Sequence, residues 1–302
     1  MTPDRPKAGG SKIGGSVEIT PVEIGKVLTR TGGYLSTVTS HSLQPYRGCT
    51  LGRSLCGAGC YVQHAGLLTR GRPWGGFLEV RTNAAESYLR YVGAERRWGR
   101  RARGEFSIFL SSATEPFLPQ ERRYGITRGV LEAMLEEPPD LLVVQTHSHR
   151  ITAAADLLVA LAKRCRVRCH LSIETDRDRL PGLPPHASPV GRRFEAAAAL
   201  RRAGLETVVT VSPLLPIADP ETFFARIAAC ADAVVLDHFI GGDGSPEGRR
   251  TRRTSLPQAM ETVEAGSTDL AYREAMVAVA HRHLPGRVGV SVDGFAGRWS
   301  TP

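Results

Sequence analysis

Six short apolar runs, each closed at or just beyond its end by a polar or special residue and separated by stretches with helical spacing, constrain this chain more than any other feature. They lie at residues 77–80, 106–111, 141–146, 168–173, 207–212 and 233–238, with helical patterns at 84–98, 121–135, 153–164, 190–203 and 220–231. Short apolar runs alternating with amphipathic helices predict a parallel α/β fold. With 302 residues and 41% hydrophobic content, the chain can bury one large core. Parallel barrels place their chemistry at the carboxyl ends of the strands, so the polar residues closing each run are the first candidates for function.

The cysteines come next. Three of the six, Cys49, Cys56 and Cys60, fall in one glycine-rich loop containing Gly52, Gly57 and Gly59, while Cys165, Cys169 and Cys230 are scattered. This distribution is poor for a disulfide framework and good for a metal. Three thiolates suit a four-iron four-sulfur cluster with one iron left open to a small molecule. With His64, the same thiols also make a Cys3His zinc set. Spacing leaves both readings open. Cys165 and Cys169 share one side of a strand, but nothing completes a second site, because His170 points to the other face.

Five segments, read in order, carry a resemblance. Tyr46-Arg47-Gly48-Cys49, Cys60-Tyr61, the run from Ser111 to Glu121, Gln145-Thr146-His147-Ser148 and the run from Leu171 to Thr175 follow the order of motifs in the spore photoproduct lyase branch of the radical S-adenosylmethionine superfamily. The chain resembles that branch from about Ser42 to Ile240. The resemblance implies a partial, TIM-like (β/α)6 barrel, with a first strand near residues 34–43 followed by the cluster loop. It divides the chain into an N-terminal extension (1–33, partly flexible), a core (34–240) and a C-terminal extension (241–302), the last a lid, a partner surface or a flexible tail.

The resemblance also implies roles. Cys49, Cys56 and Cys60 would bind a 4Fe-4S cluster and S-adenosylmethionine would bind beside it, cleaved by an electron from a flavodoxin- or ferredoxin-type donor to give a 5'-deoxyadenosyl radical. Tyr61 would lie near the adenine. Ser172, Glu174 and Thr175 would contact the ribose and amino acid parts, although Ser172 and Thr175 would also serve as simple caps of the next segment. His147 stands where the branch carries a lysine near the methionine carboxylate, and Ser112, Thr114 and Glu115 face the same mouth. Asn83 and Arg81, at the end of the 77–80 run, are weaker candidates.

Two departures from the branch matter. The superfamily spaces its cysteines by three residues and then two, whereas this loop has six and then three. The lyase's hydrogen-donating cysteine is replaced by Ser112, whose O–H bond is too strong for that task, which argues against dimer repair by the same route. The glycines are expected to bend the longer loop through conformations closed to other residues.

The net charge of +9, with arginine runs at 96–103 and 249–253, permits nucleic-acid binding. The runs contain no aromatic residue except Trp98, so a solvated face is the plainer reading. No apolar run reaches the length needed to cross a membrane, and the N-terminus has no secretion signal; a cytoplasmic location is expected. A DNA photoproduct or nucleotide lyase, and a non-catalytic zinc- or iron-sulfur-binding module, remain alternatives to a radical enzyme of unidentified substrate.

Overall fold

The segment Leu141–Thr146 shows why this chain folds as it does. Leu141 to Val144 are apolar in succession, and all of the strand but Gln145 is buried, so both faces must be covered. In the computed structural model, which describes residues 17–301, it lies in the middle of an eight-stranded sheet. The strands are β1 (Glu18–Val22), β2 (Leu28–Arg30), β3 (His41–Leu43), β4 (Tyr46–Gly48), β5 (Phe77–Arg81), β6 (Ser107–Leu110), β7 (Leu141–Thr146), β8 (Arg166–Ser172), β9 (Glu206–Val211), β10 (Ala233–Leu236) and β11 (Val288–Val290). The sheet order is β11-β10-β9-β8-β7-β6-β3-β2, parallel throughout except for the β2–β3 pair.

Period-two alternation sends the two halves of each strand to different cores. Ile108, Leu110, Leu142, Val144, Leu171, Val209, Val234 and Leu236 pack outward, under helices that include Ala84–Arg103, Ile126–Glu136, Val190–Arg202, Pro220–Cys230 and Leu270–His283. Phe109, Val143, Val208 and Val235 point inward and form a smaller core with Phe295. Each such buried side chain contributes roughly 1.5–3 kcal/mol relative to exposure. His170 shares the inner layer against Phe109 and Phe295, with both ring nitrogens unpaired and burial holding it well below its ordinary pKa. Cys169 faces the outer core, and among the described residues no further ligand joins it and Cys165.

Three expectations change. The 77–80 run is a strand, extended to Arg81, but it belongs to a separate three-stranded sheet with β1 and β4. Only His41–Leu43 of residues 34–43 is strand. Gly33, at φ +55, starts a 3-10 turn over Gly33–Thr37, fixed by the Ser36 hydroxyl on the Gly33 carbonyl (2.6 Å). The sheet also continues across residue 240, because β11 from the C-terminal segment pairs with β10. Residues 1–16 of the expected N-terminal extension lie outside the described residues; beyond them β2 adds to the sheet and Lys26 and Arg30 bond Glu95 (2.6 and 2.8 Å).

Among the described residues no helix is long and apolar enough to cross a membrane. Within the first arginine run, Arg96 pairs with Glu137 (2.8 Å) and Arg100 with Asp140 (2.6 Å).

Candidate functional site

The carboxyl ends of the parallel strands open onto two adjoining cavities, of about 350 and 110 Å³. Cys49, Cys56 and Cys60 line the smaller one, and Cys56 and Cys60 also reach the larger. The loop carrying them follows β4 and folds back through helical turns, Thr50–Arg53 and Leu55–Ala58. Its compactness depends on glycine, for a reason other than the one expected. None of Gly52, Gly57 and Gly59 takes a positive φ. They work by close approach: a Cβ on Gly57 would lie 2.2 Å from the Gly52 Cα, and one on Gly52 would lie 2.4 Å from the Gly75 backbone.

Burial dominates the thiols. It raises Cys49 to about 12 and Cys60 to about 11, and raises Cys56 well above its ordinary value; the proximity of the other two thiols adds to the effect on Cys56. Three clustered thiols, one buried and two half-buried, that cannot easily ionise together are the donor set a cationic metal core would compensate. Among the described residues, no three Cys, His, Asp or Glu side chains converge tightly enough for a single ion. His64 lines neither cavity and stands near Arg253. A mononuclear Cys3His site therefore lacks its fourth ligand. The corners of a cluster hold thiolates further apart than one ion does.

The remaining candidates divide. Tyr61, Ser112 and His147 line both cavities, Thr114 and Glu115 the smaller, and Glu174 the larger. Ser112 accepts from Gln44 (2.8 Å), while the Thr114 hydroxyl donates to the Gln44 side chain (3.1 Å). Glu115 is buried, which raises its pKa, and accepts from the backbone N–H of His147 (2.8 Å) and Phe117 (2.9 Å). His147 in turn reaches Glu174 (Nε2 to Oε1, 3.2 Å). Burial opposes ionisation of Glu174, but Arg193, His147 and His186 outweigh it and hold the carboxyl at about 2. The Arg193 guanidinium sits 2.6 Å from that carboxylate and also bonds the Ser172 carbonyl (2.7 Å).

Ser172 and Thr175 line neither cavity. The Ser172 hydroxyl is tied to Thr210 (3.0 Å) and Gln145 (2.7 Å), and that of Thr175 donates to the Pro216 carbonyl (2.6 Å) and accepts from the Arg177 N–H (3.2 Å). Asn83 holds the Ile24 backbone through both side-chain atoms, and Arg81 bonds the Gln44 carbonyl. Both thus serve the small sheet and the N-terminal segment.

Sequence reasoning missed several residues. Ser111 takes φ +71, a strained value for a non-glycine, where its unpaired hydroxyl lines the smaller cavity. Tyr34, Gln145, Asp237, Phe295 and the 239–256 segment line the larger cavity. Ser111 and Asp237 carried a signal, at the polar ends of apolar runs, and Gln145 stood in the Gln145–Ser148 motif.

No family model matches the chain. A radical SAM Nalpha-GlyT isomerase of Pseudomonas phage M6 is 31% identical over 203 residues, covering 65% of this chain and 38% of that protein. Two solved structures of spore photoproduct lyase, a cysteine-to-serine variant and a cysteine-to-alanine variant with dinucleoside spore photoproduct, superpose with TM-scores of 0.61 at 14% identity, covering 90% of this chain and 81% of theirs. In sequence the chain is similar to a radical SAM isomerase, and in fold to spore photoproduct lyase. Its fold is the partial barrel of those lyase structures, and the larger part of the phage protein's length has no counterpart here. That likeness implies a 4Fe-4S cluster and S-adenosylmethionine, and the three clustered thiols with their glycine cradle fit that group.

Proposed function

We propose that the protein is an enzyme in which Cys49, Cys56 and Cys60 hold a 4Fe-4S cluster and the adjoining cavity receives S-adenosylmethionine together with a substrate that loses a hydrogen atom. The observation that carries this reading is that the three loop cysteines, and none of the other three, line one cavity at the carboxyl ends of a parallel barrel. When bound, the cluster and S-adenosylmethionine supply one-electron reductive cleavage to methionine and a 5'-deoxyadenosyl radical.

The chain's own residues bind, orient and exclude water. Gly52, Gly57 and Gly75 let the loop close around the thiols. Tyr61, half-buried beside Ser112, presents a flat face to an adenine-sized ring. His147, held between the carboxylates of Glu115 and Glu174, directs its imidazole toward the carboxylate end of an amino acid moiety. Ser172 and Thr175 support the strand ends from behind. A flavodoxin- or ferredoxin-type protein would supply the electron. Arg250, at the larger cavity's edge, is the arginine best placed to meet a phosphate if the substrate is a nucleotide.

The test is anaerobic reconstitution with iron and sulfide, followed by reduction with dithionite and quantitation of 5'-deoxyadenosine. About four irons and four sulfides per chain, with deoxyadenosine formed by the native protein and not by a C49A/C56A/C60A variant, are expected. Stoichiometric zinc, or deoxyadenosine formation that survives the triple substitution, would refute the reading.

A further inference from the structure

The larger cavity is walled by Tyr34, Tyr61, Phe109, Phe239 and Phe295, and its floor holds one carboxylate, Asp237, that forms no ion pair among the described residues. Asp237 closes β10 and is 4% exposed. One of its oxygens accepts from the Ser212 hydroxyl (3.1 Å), while Oδ1 is buried without a hydrogen-bond partner among the described residues. Burial opposes its ionisation, outweighing the Ser291 and Tyr34 hydroxyls that lie beside it and the charge of Arg273, which favour the anion. A buried acceptor with no donor costs on the order of 1–3 kcal/mol, more when charged, unless a ligand supplies the missing group.

The surrounding charges decide what that ligand carries. Asp243 and Glu174 line the same cavity, and Asp293 stands behind Tyr34. Of the cations near Asp237, Arg250 is turned to the Asp243 carbonyl (3.2 Å), and Arg273 bonds Glu274 (2.6 Å) and Ser291 (3.4 Å). His238, the next residue, accepts the Ile240 N–H at Nδ1 (3.1 Å). None of them forms an ion pair with Asp237. An aromatic-walled cavity with an unpaired carboxylate attracts a cation attached to an apolar body.

We infer that Asp237, with Tyr34 beside it, recognises a protonated amine on an aromatic-sized substrate bound next to S-adenosylmethionine. This assignment rests on the cavity being the substrate site proposed above. Burial raises the Asp237 carboxyl to about 6, so the anionic form that binds the amine is populated above that pH and lost below it.

The experiment uses reconstituted protein with S-adenosylmethionine and no reductant. Binding of 4-(trifluoromethyl)benzylamine and of 4-(trifluoromethyl)benzyl alcohol is followed by fluorine NMR line broadening from pH 5 to 8. At pH 8 the amine should bind about tenfold or more tightly than the alcohol, as a charge-assisted bond predicts. The preference should fade as pH falls through about 6, and D237N should bind both probes alike while keeping native iron, sulfide and S-adenosylmethionine affinity. No preference in the native protein, a preference independent of pH, or one surviving in D237N would overturn the assignment. So would a D237N variant that loses S-adenosylmethionine affinity, because the carboxylate would then serve the cofactor. If D237N fails to fold, the native pH series decides. Amine preference without a cluster would remove the radical reading and leave this assignment standing; a working cluster with no preference would do the reverse.

Discussion

Replacing Arg193 by Met exposes the internal electrostatics of the site. Arg193 is 1% exposed and donates to Glu174 (2.6 Å) and the Ser172 carbonyl (2.7 Å), with His186 at 3.0 Å from its other nitrogen. Methionine fills much of the volume but strands the carboxylate, and breaking a buried pair from one side costs about 3–5 kcal/mol. At about 2.1 cal/mol/K of unfolding entropy per residue, a chain of this size loses about 5–8 °C in Tm. The pH dependence fixes the cause. Glu174 is held at about 2, so its contribution is fully present above the ordinary carboxyl range and lost as pH falls toward 2. Without Arg193, burial takes over and favours the neutral acid, so the deficit of R193M relative to the native protein should be larger at pH 7.5 than at pH 4.5. Urea unfolding of anaerobically reconstituted protein at both values measures it. The double variant R193M/E174Q removes both charges and should recover at least half of the loss. A Tm change within 1 °C for R193M, or a double variant no more stable than the single, would refute the reasoning.

Other consequences follow from the same geometry. Because the Asp237 carboxyl is raised to about 6 from its ordinary 3.8, ionising it opposes folding: the penalty is absent below the ordinary value and complete above about 6. D237N should therefore stabilise the substrate-free protein by about 3 kcal/mol at pH 8 and by little at pH 4, read as Tm. An unchanged Tm at pH 8 would count against an unpaired carboxylate. G57A places a Cβ 2.2 Å from the Gly52 Cα and should cut iron loading to less than half with far-ultraviolet circular dichroism preserved; G66A, where a Cβ meets open space, should load normally. Equal loading of the two would show that the close glycine contact is dispensable. E95A leaves His41, fully buried, without its carboxylate (2.8 Å) and unpins Lys26 and Arg30, for a loss of about 2–3 kcal/mol in urea unfolding. A loss under about 0.5 kcal/mol would mean the three contacts are solvent-screened.

The barrel was legible because its strands are buried on both faces, and continuous apolar runs such as Leu141–Thr146 record that burial directly. Residues 77–80 read the same way, yet they pair with β1 and β4: composition reports burial, not which sheet provides it. The 3-10 turn at Gly33–Thr37 was hidden because its apolar Tyr34 and Leu35 face the inner core beside Phe295, so they carry the signal of a strand without being one. Glycine enrichment marked the cysteine loop correctly, but the reason, backbone against backbone at Gly52, Gly57 and Gly75, needs a residue outside the loop. In the site, thiols and strand-end polar residues were found by order along the chain. Ser172 and Thr175 share that order but turn away from the cavity into hydrogen bonds with Thr210 and Pro216. Asp237 and Tyr34 meet from opposite ends of the core, a juxtaposition no local pattern encodes.

Electron paramagnetic resonance of the reduced, reconstituted protein is the most direct test of whether three thiolates hold a cluster with one open corner. Addition of S-adenosylmethionine should shift the signal of the reduced cluster in the native protein, and the signal should vanish in C49A/C56A/C60A. A spectrum indifferent to S-adenosylmethionine, or a cluster signal that persists in the triple variant, would contradict the account.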